Sequence, residues 1–178
     1  IVLQNGVPHY FFKRNPEIIK NKYKIIYASS YDRGLYEILK WGFPYIKKHI
    51  PEAELHIYYG MELLPEPFKS EIIKLFDQDG VFEHGRIPHK ELFDKKQESY
   101  IHFYLKNTCE TDCISIKESV LAGCLPIVSN INVFTERDYV LKIDGDPTKE
   151  ETYINAGKII VKLIKDKDFY DLVCKERM

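Results

Sequence analysis

The chain has almost no excess of charge of either sign. Its 178 residues hold 26 Lys and Arg against 27 Asp and Glu, a formal net charge of -1. Binding to nucleic acid or anionic membrane through bulk electrostatics needs a positive field. Neither partner is therefore expected, and any anionic ligand must be held by a few local groups. Cysteine is scarce as well. Cys109, Cys113, Cys124 and Cys174 form no Cys-x-x-Cys pair, and a chain of this length needs no disulfide framework. No histidine stands at zinc-ligand spacing around them, so the thiols are read as free and buried, which suits a cytoplasmic location. No run reaches the roughly eighteen apolar residues of a membrane span. The opening Ile1-Val2-Leu3-Gln4-Asn5-Gly6 has neither an initiator Met nor a signal peptide, and reads as a fragment of something longer. A Walker A loop and a GxGxxG turn are also missing, which removes the main support for an ATPase or a nicotinamide-dependent dehydrogenase.

What is present is ordinary globular composition, 44% hydrophobic and 30% charged, in a strict alternation of two periodicities. Short β-rich apolar runs at residues 24–29, 55–59, 81–84, 99–105 and 125–129, and a weaker one at 139–143, read as strands. Between and after them, residues 33–48, 67–78, 88–95, 114–122, 148–165 and 167–176 read as helices. Asp32 is placed to cap the first of these, which Gly42 and Pro44 are expected to bend. Alternation with short links argues α/β: a single Rossmann-like domain over residues 1–178, with a parallel sheet of about six strands and helices on both faces.

One stretch carries chemistry. Glu110 follows the fourth strand, in the loop at its carboxyl end, and Glu118 lies about one turn into the next helix. Ligands of such sheets bind beyond the carboxyl ends of the strands. There the backbone amides of Asp112, Cys113 and Ile114 would face a diphosphate, and the two carboxylates would accept hydrogen bonds from sugar hydroxyls. Taken alone the pair decides little, because acidic residues are common in first helical turns for dipole reasons.

The surroundings add to it. Glu110, seven residues, Glu118, and then Val120-Leu121-Ala122-Gly123-Cys124-Leu125-Pro126-Ile127-Val128-Ser129 resemble the signature of the retaining GT-B glycosyltransferases of the glycogen-synthase-like, or group 1, family. That signature is Glu, seven residues, Glu, and Ala-x-Ala-x-Gly-x-Pro-Val-Val-x-Ser. Four further segments are similar in order and spacing over about residues 5–165: Asn5-Gly6-Val7; Tyr27 to Leu35 with Arg33-Gly34; Pro51 to Gly60; and Val81 to Ile87 followed by Leu92. The resemblance implies the C-terminal, donor-binding half of a GT-B enzyme. Such a half binds a GDP- or UDP-sugar and, with an N-terminal Rossmann-like domain of the same parent chain, transfers a hexosyl or deoxyhexosyl group to an acceptor hydroxyl with retention. It needs no metal and no cofactor besides the donor, and alone it would turn over poorly or not at all.

Position by position, the resemblance gives Glu118 the ribose hydroxyls and Glu110 the donor sugar near the reacting carbon. The amides of Cys113 and Ile114 hold the distal phosphate. Arg33, where the family has Lys, takes the diphosphate with the guanidinium's bidentate geometry. Arg86 and Ile87 pack the base. Two departures stand out. Ser29 or Ser30 occupies the region of a second phosphate-binding Arg, so that cation is missing or comes from elsewhere. Asp112-Cys113 replaces Phe-Gly, which puts a carboxylate near a diphosphate unless its side chain turns away or caps the helix. Asp144-Gly145-Asp146 imitates a metal-binding DxD, but Asp-Gly is ordinary turn chemistry and a turn is expected. His9, His49, His56, His84, His89 and His102 show no ligand or triad spacing, although His84 adjoins the expected base pocket. The Tyr-rich composition is assigned to core packing. Two competing functions remain open: a non-catalytic sugar-nucleotide-binding or interaction module, and a sugar-nucleotide epimerase of the same fold, for which no acid/base pair is identified.

Overall fold

Strands β1 (Asn21–Ala28), β2 (Glu54–Tyr58), β3 (Val81–Glu83), β4 (Ser99–Tyr104), β5 (Leu125–Ser129) and β6 (Leu141–Ile143) form one sheet in the computed structural model. Its order is β3-β2-β1-β4-β5-β6, and every neighbouring pair is parallel. The structure describes residues 6–7, 9, 13–62, 64–106 and 108–177. Asn5 of the Asn-Gly-Val segment lies outside them.

The helices are α1 (Leu35–Glu37), α2 (Phe43–His49), α3 (Phe68–Lys74), α4 (His89–Glu98), α5 (Ile114–Leu121), α6 (Glu150–Lys165) and α7 (Lys167–Arg177). Sequence periodicity anticipates each of these elements, with ends displaced by a few residues. The first strand starts earlier, at Asn21, and the last starts later, at Leu141, because residues 138–140 form a turn. None of the helices is long and apolar enough to cross a membrane among the described residues.

The expected bend in the first helix is a π-helical turn, Ile38–Gly42, between α1 and α2. Pro44 sits in the first turn of α2, where its missing N–H interrupts the regular ladder. Gly42 lies against the Phe103 ring, so closely that a Cβ would come within 2.9 Å of it. The wide turn and the small residue together let this helix lie flat on the centre of the sheet.

β4 and β5 are buried along their whole length. That is what continuous apolar runs become when helices cover both faces. The larger core joins Ile25, Tyr27, Ile101, Phe103 and Ile127 to α1, α2 and α6, while Ile26, Ala28, Tyr58 and Cys124 form a smaller cluster of their own. His102, also fully buried, accepts or donates through Nδ1 to Ser119 Oγ at 2.6 Å. Burial, then the charge of Lys96, hold it well below the usual imidazole range. It is therefore a neutral core residue.

Strand order runs outward from β1 in one direction and from β4 in the other. The loops leaving β1 and β4 therefore part at their carboxyl ends and open a crevice. Gly34 closes the turn after β1 with φ +90, and a Cβ there would lie 1.8 Å from the Leu105 carbonyl oxygen. Only glycine lets that turn sit on the end of β4. Gly85 also has a positive φ, +67, but nothing lies within 4 Å of a Cβ there. Gly34→Ala is therefore expected to lose on the order of 3 kcal/mol, backbone strain plus displacement of a strand end, and Gly85→Ala about 1 kcal/mol of strain alone. Urea midpoints of the two variants check this, and equal losses would contradict the packing described.

Candidate functional site

Three loops surround the crevice. The turn after β1 brings Ser30 and Arg33. Ser30 gives its carbonyl to the Tyr27 hydroxyl at 2.6 Å and to the Arg33 amide at 3.1 Å, so its backbone builds the turn that aims Arg33. The Arg33 side chain is 44% exposed, and its Nη1 lies 3.6 Å from Glu110 Oε2.

Glu110 lies in the loop after β4 and is held from several sides. Its Oε2 accepts from Lys106 Nζ at 3.2 Å and from the Tyr104 hydroxyl at 3.3 Å, and its Oε1 accepts from the Thr111 amide at 3.2 Å. Burial would push this carboxyl up. The hydrogen bond and charge of Lys106, followed by Arg33 and the Thr111 amide, outweigh burial and hold it below the usual carboxylate range.

Glu118, in the second turn of α5, is buried. Lys96 Nζ lies 2.7 Å from its Oε2, and His89 Nε2 lies 2.6 Å from its Oε1. Lys96 is fully buried, and its ammonium also donates to Ser115 O at 2.9 Å and Ser115 Oγ at 3.0 Å. Three short contacts match the three donors of an ammonium. The charge of Glu118 is thus compensated from inside the protein, and the half-exposed His89 covers its outer oxygen.

His89 also lines an apolar cleft of about 200 Å³ with Ala28, Tyr58, Arg86, Ile87 and Leu92. Arg86 forms one wall. Its Nε donates to the Tyr59 carbonyl at 3.2 Å, and its guanidinium lies over the Tyr59 ring at 4.9 Å. His84 lies just outside, its ring stacked on Tyr58 at 4.6 Å and its Nε2 2.9 Å from His56 Nδ1. Burial holds both imidazoles below their usual range. His84 supports the cleft through Tyr58 and is not one of the residues lining it.

At the start of α5 stand Asp112 and Cys113, where the sequence departs from the signature it resembles. Cys113 precedes the helix with φ 45 and ψ 78, in the left-handed region, where glycine would be unstrained. Burial, then the charge of Glu110, push its thiol up to about 11, so it is no nucleophile at neutral pH. The first amides of α5, starting at Ile114, have no intrahelical acceptor. Asp112 makes no cap: α5 has no side-chain cap bond. Its carboxylate pairs with Lys117 at 2.5 Å and Arg137 at 3.4 Å. The carboxylate is thus compensated by one cation from α5 and one from the segment after β5. Asp144-Gly145-Asp146 is a turn: Asp146 accepts from the Thr148 amide and hydroxyl, and Asp144 from Asn130.

Arg33 and Glu110 are therefore in direct contact, and Glu118, Arg86 and Ile87 meet around one cleft through His89. Reasoning from sequence missed Lys96, Lys106 and His89. For the α4 pair a signal existed. His89, Phe93 and Lys96 recur at i, i+4 and i+7, which puts Lys96 on the buried face of the helix. A lysine at a core position implies a buried partner. Lys96→Met would leave Glu118 buried with half its compensation and should cost about 3–5 kcal/mol. Lys96→Met with Glu118→Gln, which removes both charges, should recover most of that loss. Denaturant unfolding of both variants tests the pair, and a double variant no more stable than the single would contradict it.

No family model matches the chain, and no curated protein matches it. Solved structures do. The C-terminal domain of a group 1 family glycosyl transferase, LpcC of Francisella tularensis, superposes with a TM-score of 0.73 at 15% identity, covering 96% of this chain and 94% of that one. HepE of Anabaena, solved with UDP and glucose, gives 0.74 at 14% identity over 97% of this chain and 49% of that one. The pneumococcal O-GlcNAc transferase GtfA, solved with UDP and GlcNAc, gives 0.67 at 13% identity over 93% and 34%. The chain spans about a third of GtfA and half of HepE, and nearly all of the isolated LpcC domain. Sheet order, crevice and superposition agree: the chain has the fold of the C-terminal, Rossmann-like half of GT-B glycosyltransferases.

Proposed function

We propose that this chain is the donor-binding domain of a retaining glycosyltransferase that takes a UDP-sugar. The observation that carries the reading is the arrangement at the β1–β4 crevice. One carboxylate, Glu118, stands beside a ring-sized apolar cleft through His89, and a second, Glu110, touches the exposed cation Arg33. A base in the cleft puts ribose hydroxyls toward Glu118. The diphosphate then meets Arg33 and the first amides of α5, and the sugar reaches Glu110. Uridine is favoured over guanosine because HepE and GtfA were both solved with UDP.

Departure of UDP leaves negative charge on the diphosphate. Arg33 brings a charge and the α5 amides bring fixed dipoles to that point, the electrostatic assistance such a step requires, and no divalent cation enters it. The acceptor hydroxyl and its positioning belong to an N-terminal Rossmann-like domain, on which transfer of the hexosyl or deoxyhexosyl group depends. A cytoplasmic site of action fits four free thiols.

Calorimetric titration of the chain with UDP, UDP-glucose and GDP tests the reading. Wild type is expected to bind UDP and UDP-glucose at millimolar concentration or better, and GDP less well. Arg33→Ala and Glu118→Ala should each weaken UDP about tenfold to a hundredfold, the loss of a charged hydrogen bond. No binding by wild type at millimolar ligand would overturn the donor site. Binding without sugar transfer or donor hydrolysis by the full parent chain would favour a non-catalytic module.

A further inference from the structure

Lys106 is assigned nothing by the sequence resemblance, yet it is the most buried charge near Glu110. It lies two residues past the end of β4, its amide donates to Ser129 Oγ at 2.9 Å, and its side chain is 3% exposed. The ammonium donates to the Cys109 carbonyl at 2.7 Å and to Glu110 Oε2 at 3.2 Å. One side chain therefore ties Lys106 to the Cys109 carbonyl and anchors the Glu110 carboxylate. Arg33 contacts the same Oε2 from the solvent side at 3.6 Å. Of the two cations, Lys106 is enclosed in the interior and Arg33 is open to solvent.

Resting on the donor-site reading above, we infer that Lys106 is the permanent counter-charge and positioning residue of Glu110, which lets Arg33 leave that carboxylate for a diphosphate while the carboxylate stays in place. The division of labour follows from exposure. A diphosphate arriving at the crevice meets Arg33 and draws it away from Glu110 by a stronger, charge-assisted bond. A buried carboxylate abandoned by its only cation would take up a proton or rotate toward water. Lys106 prevents both, since its own contacts are out of solvent and do not change when Arg33 moves. The second phosphate-binding cation absent near Ser30 is thus not replaced by Lys106, which is committed to Glu110; the site works with one mobile cation because its carboxylate carries its own.

The groups facing Glu110 are Lys106 and Cys113 from its own loop, Tyr104 from β4, and Arg33 with Asp32 behind it from the turn after β1. Cys113 and Tyr104 are uncharged at neutral pH, their protons held by burial. Lys106 and Arg33 therefore set the carboxyl's titration. Because the folded-state value is depressed, the ionised carboxylate adds stability above its unfolded value, and that contribution is lost as pH falls through the folded value. Removing Lys106 leaves burial opposed mainly by Arg33, so the loss moves to higher pH.

The test uses Lys106→Met, which keeps the stem and removes the charge, Glu110→Gln, and the two combined. The Glu110 carboxyl is followed by carbon-13 NMR against pH, with Glu110→Gln giving its assignment. UDP and UDP-glucose are titrated at pH 7.5 and 5.5. In Lys106→Met the carboxyl is expected to titrate at least about one pH unit higher than in wild type, a tenfold change in proton affinity. UDP affinity should stay within about threefold of wild type, because base, ribose and diphosphate contacts are untouched. The additional affinity contributed by glucose should fall at pH 7.5 and nearly vanish at 5.5. An unchanged carboxyl titration, or a glucose contribution that keeps its wild-type pH dependence, overturns the inference. If Lys106→Met alone fails to fold, the double variant, in which neither charge is present, must fold and bind UDP; a double variant that is equally unfolded also overturns it. Failure of wild type to bind UDP would strike the donor-site reading, while the carboxyl titration would still decide the pairing of Lys106 with Glu110.

Discussion

The site depends on how closely the turn after β1 packs on the end of β4. Gly34 touches the Leu105 carbonyl where a Cβ cannot fit, and Lys106 begins on the next residue. That contact fixes where Arg33 emerges relative to Glu110, and both lie at the point where the strand order reverses. The π-helical turn in the helix after Arg33 serves the same end. With Gly42 under Phe103, the helix lies on the central strands without lifting the turn that precedes it.

The electrostatic design repeats one device. Each carboxylate has a buried lysine of its own, Lys106 for Glu110 and Lys96 for Glu118, and Asp112 has Lys117 and Arg137. An anion approaching this crevice therefore meets carboxylates already compensated from within. One exposed guanidinium and a helix N-terminus then suffice to favour it. Under the proposed function, this reconciles a chain with no net positive charge with a ligand that carries several negative ones. The cost is a set of buried ion pairs whose loss on one side is expensive and whose joint loss is not.

Much of this was legible in the sequence. Alternating periodicities gave the parallel sheet, and the Glu110 to Pro126 stretch gave the loop and helix at its centre. The fold places Arg33, next to Gly34, against Glu110, and puts Arg86 and Ile87 in the lining of the cleft that His89 shares. What stayed hidden were the partners. Lys96 is separated from Glu118 by 22 residues and Arg137 from Asp112 by 25, and pairings over such distances in the chain exist only once the sheet is assembled. Asp112 shows the consequence: read alone it looks repulsive to phosphate, and in the fold it is neutral. The left-handed backbone of Cys113 was equally invisible, since only its position opposite a glycine of the signature it resembles hints at it.

The central claim is that a uridine nucleotide lies across the carboxyl ends of β1 and β4. Amide NMR shifts on addition of UDP to the isotopically labelled chain test it most directly. The account predicts the largest shifts at Gly34, at Ile114 and Ser115, and at Ile87 and His89, three loops far apart in sequence. A larger cleft, of about 470 Å³, is lined by Lys20, Lys22, Tyr100, Lys165, Lys167 and Tyr170 and lies at the amino ends of β1 and β4. Shifts concentrated there, with the three loops unmoved, would contradict the account.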